Sequence, residues 1–319
     1  MKICILGLGV IGTTYGHVFQ QAGHQVEHLV RDGKTVPEQL TVDLLDGRYS
    51  NKGEEKRAFY HVHLAQPDTA YDFIFLSVRN GKVNEAVETL RQKKIRGNLV
   101  IFCNFWMTGD EIAELARDYN YVIGFPTAGG HLEGNHLEAV LFDHVMLDDE
   151  KKTAITNYQD LKSLLQSADI KVEVPYDMVE WIWIHMAINA GVTSTAAGLG
   201  HLDNPQKLAV DLMKDSQKLA LAVKVIRETT RVTSAYGVDL KRYRGELLPY
   251  KLPAWLAGKI MKAMFASNQL TRRIMTLHND KDDIFYGCQK VYSAGKKAGV
   301  SMPLFTENIK KLVPYFQNY

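Results

Sequence analysis

The chain has few cysteines, and their placement argues against a metal site or a disulfide framework. The three among its 319 residues are Cys4, Cys103 and Cys288, and no C-x-x-C pair occurs. Recurrent zinc sites need ligands paired at short spacing, and a disulfide framework needs an even set of cysteines. Cys4 and Cys103 stand in apolar, strand-like runs, which favours buried, small hydrophobic side chains. The sequence therefore predicts no metal site.

The sequence also lacks an excess of charge of one sign. Its 38 Lys and Arg and 36 Asp and Glu leave a net charge of +2, without a basic block or an acidic tail. Non-specific attraction to nucleic acid or to an anionic membrane depends on such blocks, so we expect neither partner. A composition of 46% hydrophobic and 23% charged residues is typical of a folded protein and excludes a disordered one.

Long hydrophobic runs are scarce. The longest uncharged stretch, residues 181–202, is long enough to cross a bilayer. It contains His185, Asn189, three consecutive hydroxyl residues and several glycines, however, and we interpret it as a helix buried between domains that continues into a loop. The apolar N-terminus ends in glycines rather than at a signal-peptide cleavage site. We therefore expect a cytoplasmic protein.

The first twelve residues carry the most informative motif that is present. A β-branched run, residues 2–6, is followed at once by G-x-G-x-x-G and then by a segment of helical periodicity. Between a strand and a helix, the three glycines permit a tight turn, close approach of a pyrophosphate and close packing of helix on strand. The helix N-terminus favours phosphate. We predict a dinucleotide site formed by Gly7, Leu8, Gly9, Val10, Ile11 and Gly12, the alternative being a glycine-rich turn that binds nothing.

Arg31, which follows the second predicted strand (residues 24–30), favours NADP as the dinucleotide. NAD sites usually carry Asp or Glu about 20 residues after the glycines, bonded to the ribose 2′-hydroxyl. Arg31 takes that place here, with Lys34 close by. A guanidinium binds a 2′-phosphate through paired hydrogen bonds, whereas a carboxylate repels it. We predict NADP (NADPH) bound by Arg31, although the adjacent Asp32, or an arginine that merely lies on the surface, leaves NAD open.

Strands and helices alternate in the first half of the chain, and helices alone follow. The predicted strands are 71–78, 98–103, 121–125, 137–147 and 170–174, with Pro126 ending the third, and the predicted helices are 83–93 and 110–119. Such alternation gives βαβ units and a mostly parallel sheet. Beyond residue 175 the periodic segments, such as 208–236 and 284–298, predict helices. The predicted fold is α/β: a Rossmann-type, doubly wound sheet in residues 1–174 and an all-helical domain in residues 175–319.

Over essentially its whole length the chain resembles the ketopantoate reductase (2-dehydropantoate 2-reductase) family. The glycine motif with Arg31 is similar to the family's NADP fingerprint, and residues 298–303 are close to its terminal signature. The resemblance of residues 76–79 implies that Arg79 stands where the family has a lysine near the nicotinamide. The segment 103–109 resembles the family's Asn-Gly turn, which implies that Asn104 contacts cofactor and substrate.

The resemblance extends to a βα turn and to the helical domain. Residues 124–130 resemble the family's next βα turn, which implies that Gly129 lies against the cofactor. In the family's hallmark helix a tryptophan is followed two residues later by a lysine and four residues after that by an asparagine. This chain has Trp183, His185 and Asn189 there, which implies that His185 replaces the catalytic lysine. Nearest to the family's functional glutamate and substrate-binding serine are Asp283 and Thr271.

The chemistry of a 2-oxo acid reduction fits these side chains. The carbonyl oxygen needs a proton donor, and imidazolium, with an unperturbed pKa of about 6.5, is a competent one whose pKa an adjacent carboxylate raises. We predict His185 as the donor, Asp283 as that carboxylate, and Asn189 as a buried amide that needs a ligand partner. Arg79 suits the substrate carboxylate through a bidentate fork. A hydrogen-bonded core role for His185 and a packing role for Asn189 stay open.

We therefore expect NADPH-dependent reduction of a small 2-oxo acid, with 2-dehydropantoate, the precursor of pantoate in pantothenate biosynthesis, as the first candidate. One alternative is a related dehydrogenase for another 2-oxo acid or for an imine in opine-type reductive amination. The histidine in place of lysine, and Phe105 after Asn104, favour it. The other alternative is an NADP-binding protein without catalysis. A homodimer through apolar helices of the second domain and a monomer are both compatible with the sequence.

Overall fold

The computed structural model describes residues 1–79, 81–200, 204–277 and 280–313, and the chain divides into two compact units, Met1–Val179 and Glu180–Tyr319. The sequence places this boundary after residue 174. Each unit has an apolar core of its own: strands and helices enclose the first, and helices enclose the second. The two units therefore each satisfy the packing requirement of a separate domain.

A nine-stranded sheet organises the first unit. Its strands in the described residues are β1 (Lys2–Leu6), β2 (Gln25–Leu29), β3 (Gln39–Asp46), β4 (Glu54–His61), β5 (Ala70–Leu76), β6 (Arg96–Phe102), β7 (Tyr121–Glu133), β8 (His136–Leu147) and β9 (Lys171–Glu173). They lie in the order β2-β1-β5-β6-β7-β8-β3-β4, with β9 paired to β8. The β3–β4 and β7–β8 pairs are antiparallel and the other pairs are parallel. The predicted α/β class with a mostly parallel sheet is confirmed.

Helices cover this sheet where the sequence has 3.6-residue periodicity. They are α1 (Val10–Gln21), α2 (Val83–Gln92), α3 (Gly109–Leu115) and α4 (Tyr158–Ser167). In α2 the predicted apolar positions Val83, Ala86, Val87 and Leu90 are the buried ones. Helix α3 begins with a capping box formed by Thr108 and Glu111. The capping box stabilises the start of the helix because it satisfies backbone N–H groups that have no partner within the helix.

The strand order reverses beside β1, which pairs with β2 on one side and with β5 on the other. In open α/β sheets, ligands bind beyond the carboxyl ends of the strands at such a reversal. The parallel strands β1, β5 and β6 end at Leu6, Leu76 and Phe102. The segments that follow these strands therefore emerge at one edge of the sheet, and this edge is the position expected for a dinucleotide.

The seventh strand corrects the prediction that Pro126 ends a strand at 121–125. β7 continues to Glu133 as the antiparallel partner of β8, and the register shifts between Pro126 and Ala128. At such an irregularity the missing N–H of proline removes no regular ladder hydrogen bond. The hairpin of β3 and β4 is a further element that no prediction included. Most residues of β4 are exposed or half-buried, so its apolar pattern is weak.

In its described residues the second unit is built from helices. These are α5 (Met178–Gly198), which begins two residues before the unit boundary, α6 (Pro205–Met213), α7 (Ser216–Ala235), α8 (Arg244–Lys251), α9 (Ala254–Ser267), α10 (Gln269–Leu277), α11 (Lys281–Lys297) and α12 (Pro303–Leu312). The single helix predicted over 208–236 is wrong: Asp215 caps α7 by accepting two backbone N–H bonds and so separates it from α6. Among the described helices, none is both long enough and apolar enough to span a bilayer.

Candidate active site

The turn between β1 and α1 has the geometry that the glycine motif predicts. Gly7 has a φ of +102°, and its N–H donates to the Leu29 carbonyl at 2.9 Å. Gly9 is the N-cap of α1 and has no side chain with which to cap the helix, and the first turn, residues 10–12, contains no acidic residue. A Cβ on Gly9 would meet no atom within 4 Å, whereas one on Gly12 would lie 2.8 Å from Ser77 Oγ. The N-terminus of α1 is therefore open, and its residues fit a pyrophosphate.

Two side chains that were not predicted from the sequence, His28 and Tyr60, hold the Gly7 carbonyl of this turn through hydrogen bonds. Nδ1 of His28 lies 2.8 Å from the Gly7 carbonyl and Nε2 lies 2.6 Å from the Tyr60 hydroxyl, and both side chains are fully buried. A carbonyl only accepts, so Nδ1 carries the proton and Nε2 accepts from Tyr60. A Cβ on Gly16 would lie 2.5 Å from the Tyr60 hydroxyl, so the glycine at that position makes room for the pair. The sequence signal for Tyr60 was missing because β4 itself was not predicted.

Asn104 follows β6 at the same edge of the sheet. Its Oδ1 is buried and has no hydrogen-bond partner among the described residues. A buried amide oxygen without a partner is costly, and a ligand that donates a hydrogen bond removes that cost. Phe105, which stands where the family turn has glycine, is 1% exposed and belongs to the core. The orphaned oxygen agrees with the predicted contact of Asn104 with cofactor or substrate, which stays a prediction.

Arg31 is exposed and follows β2 closely, at the carboxyl edge. The neighbouring Asp32 is engaged in an ion pair, with Lys93 Nζ 2.7 and 2.8 Å from its two carboxylate oxygens. Of the two side chains that compete for the ribose position, the carboxylate thus already has a cationic partner. This arrangement favours the arginine as the residue that meets a 2′-substituent.

Arg79 lies at the carboxyl edge of the sheet, as expected. The predicted surroundings of Gly129, by contrast, are wrong. Arg79 is exposed just beyond β5, and its carbonyl accepts the N–H of Lys82 at 3.1 Å. The βα turn assigned to residues 124–130 is wrong, because these residues lie inside β7 and Gly129 pairs with Val140 of β8. Antiparallel pairing occupies this segment, and the next element is a strand, so no helix N-terminus follows it.

In the second unit, His185 and Asn189 lie one turn apart on α5. Asn189 Nδ2 is 2.9 Å from His185 Nε2, and the imidazole stacks on Trp181 with ring centroids 5.2 Å apart and planes at 12°. His185 is half-buried, and Asn189 is exposed, which corrects the prediction of a buried amide. The reason is the position of the helix face, since the core-facing positions around it are Met186, Ala187 and Ala190.

The hydrogen bond between these two side chains orients the imidazole. An amide NH₂ donates, so Nε2 of the neutral imidazole accepts in this arrangement. Protonation makes Nε2 a donor, and rotation of the Asn189 amide lets its oxygen accept instead. The pair therefore holds the imidazole in either protonation state, as a general acid requires.

Asp283 and Thr271 lie in the first turns of α11 and α10, and both are half-buried. The Asp283 N–H donates to the carboxylate of the cap residue at 3.3 Å. Cys288, one turn and a half farther along α11, has its Sγ 3.8 Å from the Ala190 carbonyl, so α11 packs beside α5. The pairing of Asp283 with His185, and the contact of Thr271 with substrate, stay predictions.

Comparison with known proteins agrees with this geometry. Residues 3–149 match the family model described as Ketopantoate reductase PanE/ApbA. A dimeric ketopantoate reductase from Staphylococcus aureus has 13% identity and a TM-score of 0.65, with 100% of this chain and 99% of that chain covered. The 2-dehydropantoate 2-reductase from Methylococcus capsulatus has 17% identity and a TM-score of 0.63, with 99% of this chain and 97% of that chain covered.

A third similar structure is D-mandelate dehydrogenase with NADH and anilino(oxo)acetate. It has 18% identity and a TM-score of 0.66, and 98% of each chain is covered. At these identities the likeness to all three solved structures shows a shared fold.

Proposed function

We propose that this chain, whose residues 3–149 match the family model described as Ketopantoate reductase PanE/ApbA, is a nicotinamide-dependent oxidoreductase that reduces a small 2-oxo acid with NADPH. The proposed substrate is 2-dehydropantoate. The observation that carries the proposal is the N-terminus of α1, where the cap residue is Gly9 and no described atom lies within 4 Å of its Cβ position. An uncapped helix N-terminus at the reversal of strand order is the phosphate-binding feature of this architecture.

The proposed chemistry assigns one task to each side chain. When bound, a reduced nicotinamide supplies the hydride for the carbonyl carbon. Protonated His185 gives the proton of Nδ1, the ring nitrogen that Asn189 does not occupy, to the oxygen of that carbonyl, and Asn189 keeps the ring oriented through its 2.9 Å hydrogen bond to Nε2. Arg79 binds the substrate carboxylate through a bidentate fork. Asn104 gives its orphaned Oδ1 a partner by accepting a hydrogen bond from cofactor or substrate.

The experiment that tests the reaction is the loss of NADPH absorbance in the presence of 2-dehydropantoate. In His185→Ala we expect turnover to fall by on the order of a hundredfold, with NADPH binding unchanged, because a positioned general acid contributes that much. Trp181→Phe keeps an aromatic face against the ring and is the matched control, with a small effect expected. Wild-type turnover in His185→Ala would remove the histidine from the mechanism.

The choice of NADPH over NADH is proposed to reside in Arg31. In Arg31→Gln we expect kcat/KM for NADPH to fall by about tenfold to a hundredfold and kcat/KM for NADH to stay the same, since the loss is that of a charge-assisted phosphate contact. Lys34→Gln removes a nearby cation without the guanidinium fork, so its effect should be smaller. Equal losses with both cofactors would count against a 2′-phosphate contact.

A second candidate is a dehydrogenase that acts on another 2-oxo acid, with NADH or NADPH. Two points favour it: D-mandelate dehydrogenase is as similar in fold as the ketopantoate reductases, and the resemblance to the family implies that His185 replaces a lysine. A panel of 2-oxo acids with branched, linear and aromatic side chains, run with both cofactors and with and without amines, separates these activities. Tight NADPH binding without turnover of any panel member would point to a binding protein.

A further inference from the structure

A cavity in the helical unit lies among α7, α8 and α12 and has a volume of about 480 Å³. Four cationic side chains and a single carboxylate line it, namely Lys224, Arg227, Arg231, Lys251 and Glu228. The helical unit, residues 180–319, has a net charge of +9, counted as 20 Lys and Arg minus 11 Asp and Glu, and the cavity concentrates part of this excess in one concave surface. A concave surface that concentrates charges of one sign attracts ligands of the opposite charge.

The cations of α7 share one face of that helix. Lys224, Arg227 and Arg231 recur at intervals of three and four residues, the spacing that aligns side chains on a helix. Glu228 lies on the same face, but both oxygens of its buried carboxylate accept backbone N–H bonds at the start of α12, from Leu304 at 3.3 Å and Phe305 at 2.9 Å. The one acid of the cavity is thus engaged by the helix N-terminus and leaves the cations largely uncompensated.

Two of the four cationic side chains, Arg227 and Arg231, are held by hydrogen bonds to backbone carbonyls. The two lysines are available to bind a ligand. The Arg227 guanidinium donates to the Tyr250 carbonyl at 2.7 Å and to the Leu252 carbonyl. Arg231 donates from Nη2 to a carbonyl between α11 and α12 at 3.0 Å. Guanidinium groups that are already fixed lose little side-chain entropy when they bind a ligand. Lys224 and Lys251 are exposed and make no hydrogen bond or ion pair with the described residues.

Apart from Thr230, whose hydroxyl donates to the Ile226 carbonyl at 2.7 Å, the other lining side chains are apolar or aromatic, namely Leu240, Leu247, Tyr250 and Leu304. Leu247 is 4% exposed and belongs to the core of the unit, whereas Leu240, Tyr250 and Leu304 are half-buried. A cationic stripe beside an apolar wall matches a ligand that has an anionic group and an apolar body. The volume lies in the range of small-molecule sites.

We propose that this cavity binds a small organic phosphate. Its phosphate group contacts the cations of α7 and Lys251, and its apolar or aromatic body packs against Leu247, Tyr250 and Leu304. Phosphate suits the site better than a carboxylate because it carries more negative charge and three acceptor oxygens, which several cations can share. The site lies within the helical unit, so the proposal is independent of the reaction proposed above.

The test is calorimetric titration of the full-length protein, without nucleotide, with 4-nitrophenyl phosphate as the probe. Inorganic phosphate and 4-nitrophenol serve as the two halves of that probe. Lys224→Gln/Lys251→Gln removes two cavity cations whose side chains have no partner among the described residues. Lys259→Gln/Lys262→Gln changes the same residue types on exposed positions of α9 and is the matched control.

We expect saturable binding of 4-nitrophenyl phosphate below about 1 mM, weakened about tenfold in the cavity variant and unchanged in the control, as two partly exposed charge contacts predict. Inorganic phosphate should bind more weakly, and 4-nitrophenol should not bind. Equal affinity in both double variants would overturn the site, because binding would then reflect general charge or the glycine turn. Equal affinity for inorganic phosphate and the probe would overturn the assignment to an organic phosphate.

Discussion

At the scale of single residues, the buried pair of His28 and Tyr60 determines where the Gly7 carbonyl lies. Tyr60→Phe removes the hydroxyl that donates to Nε2 at 2.6 Å and leaves a buried acceptor without a partner, which costs about 1–3 kcal/mol. We expect the dissociation constant of NADPH to rise severalfold with little change in kcat. Fluorescence titration of NADPH and urea unfolding measure the two effects separately.

The matched control for this substitution is Tyr71→Phe. Tyr71 is also buried, and its hydroxyl donates to Glu27 at 2.5 Å, at the other end of the parallel strands from the glycine turn. It should lose stability to a similar extent while binding NADPH as the wild type does. If both variants bound NADPH equally well, the pair beneath Gly7 would be structural only.

Buried histidines also make the stability of the sheet unit depend on pH. Burial lowers the pKa of His28 to about 4 and the pKa of His17 to about 4, whereas in the unfolded chain both titrate near the ordinary value. Their stabilising effect is therefore complete above about pH 6.5 and is lost as the pH falls towards 4. At pH 5 the loss is about 2 kcal/mol for each group.

Urea unfolding at a series of pH values between 7.5 and 5 tests this dependence. His28→Gln keeps a donor for the Gly7 carbonyl and removes one titrating group, so its free energy of unfolding should decline less steeply with falling pH. A slope equal to that of the wild type would mean that His28 is protonated in the folded state without penalty.

At the scale of elements, the sequence was most informative where the structure is local. The strand, glycine turn and helix at the N-terminus depend on residues close in the chain, and α5 depends on an uncharged run. The continuation of β7 through Pro126 depends on β8, and the β3–β4 hairpin depends on a strand that is largely exposed. The outward position of Asn189 depends on which neighbours face the core. Such features arise from pairing and packing between distant segments, which a local pattern does not contain.

Gly191 of α5 and Gly287 of α11 differ in how closely neighbouring atoms approach them, so substitution by alanine should change stability in opposite directions. A Cβ on Gly191 of α5 would lie 2.7 Å from Ile226 Cγ1 and 2.9 Å from its Cα, so α7 packs directly on that glycine. Gly191→Ala should lower the free energy of unfolding by about 1–3 kcal/mol through overpacking. Gly287 of α11 has no atom within 4 Å of its Cβ position, and Gly287→Ala should raise stability by up to about 1 kcal/mol through helix propensity.

The two substitutions have the same chemistry and opposite expected signs, so each is the control of the other. Thermal and urea unfolding of both variants measure the signs directly. A loss of stability in Gly287→Ala as large as that in Gly191→Ala would mean that glycine is needed for helix conformation rather than for the approach of α7.

At the scale of the whole molecule, the near-neutral net charge conceals two oppositely charged units. Residues 180–319 contain 20 Lys and Arg against 11 Asp and Glu, a net charge of +9. Residues 1–179 contain 18 against 25, a net charge of −7, and the two values sum to the +2 of the chain. The helical unit, which carries His185 and Asn189, therefore has a field that attracts anions.

This field predicts that the encounter with an anionic substrate depends on salt. Ionic strength shortens the screening length to about 10 Å at 0.1 M, so kcat/KM for 2-dehydropantoate at saturating NADPH should fall severalfold between low and moderate salt. The neutral methyl ester of the same acid keeps the reacting carbonyl and lacks the charge, so its salt dependence should be weak. Lys259→Gln/Lys262→Gln lowers the charge of the unit to +7, counted from the sequence, and should reduce the slope for the acid. Equal slopes for acid and ester would mean that salt acts on the protein or on cofactor binding rather than on attraction of the substrate by the helical unit.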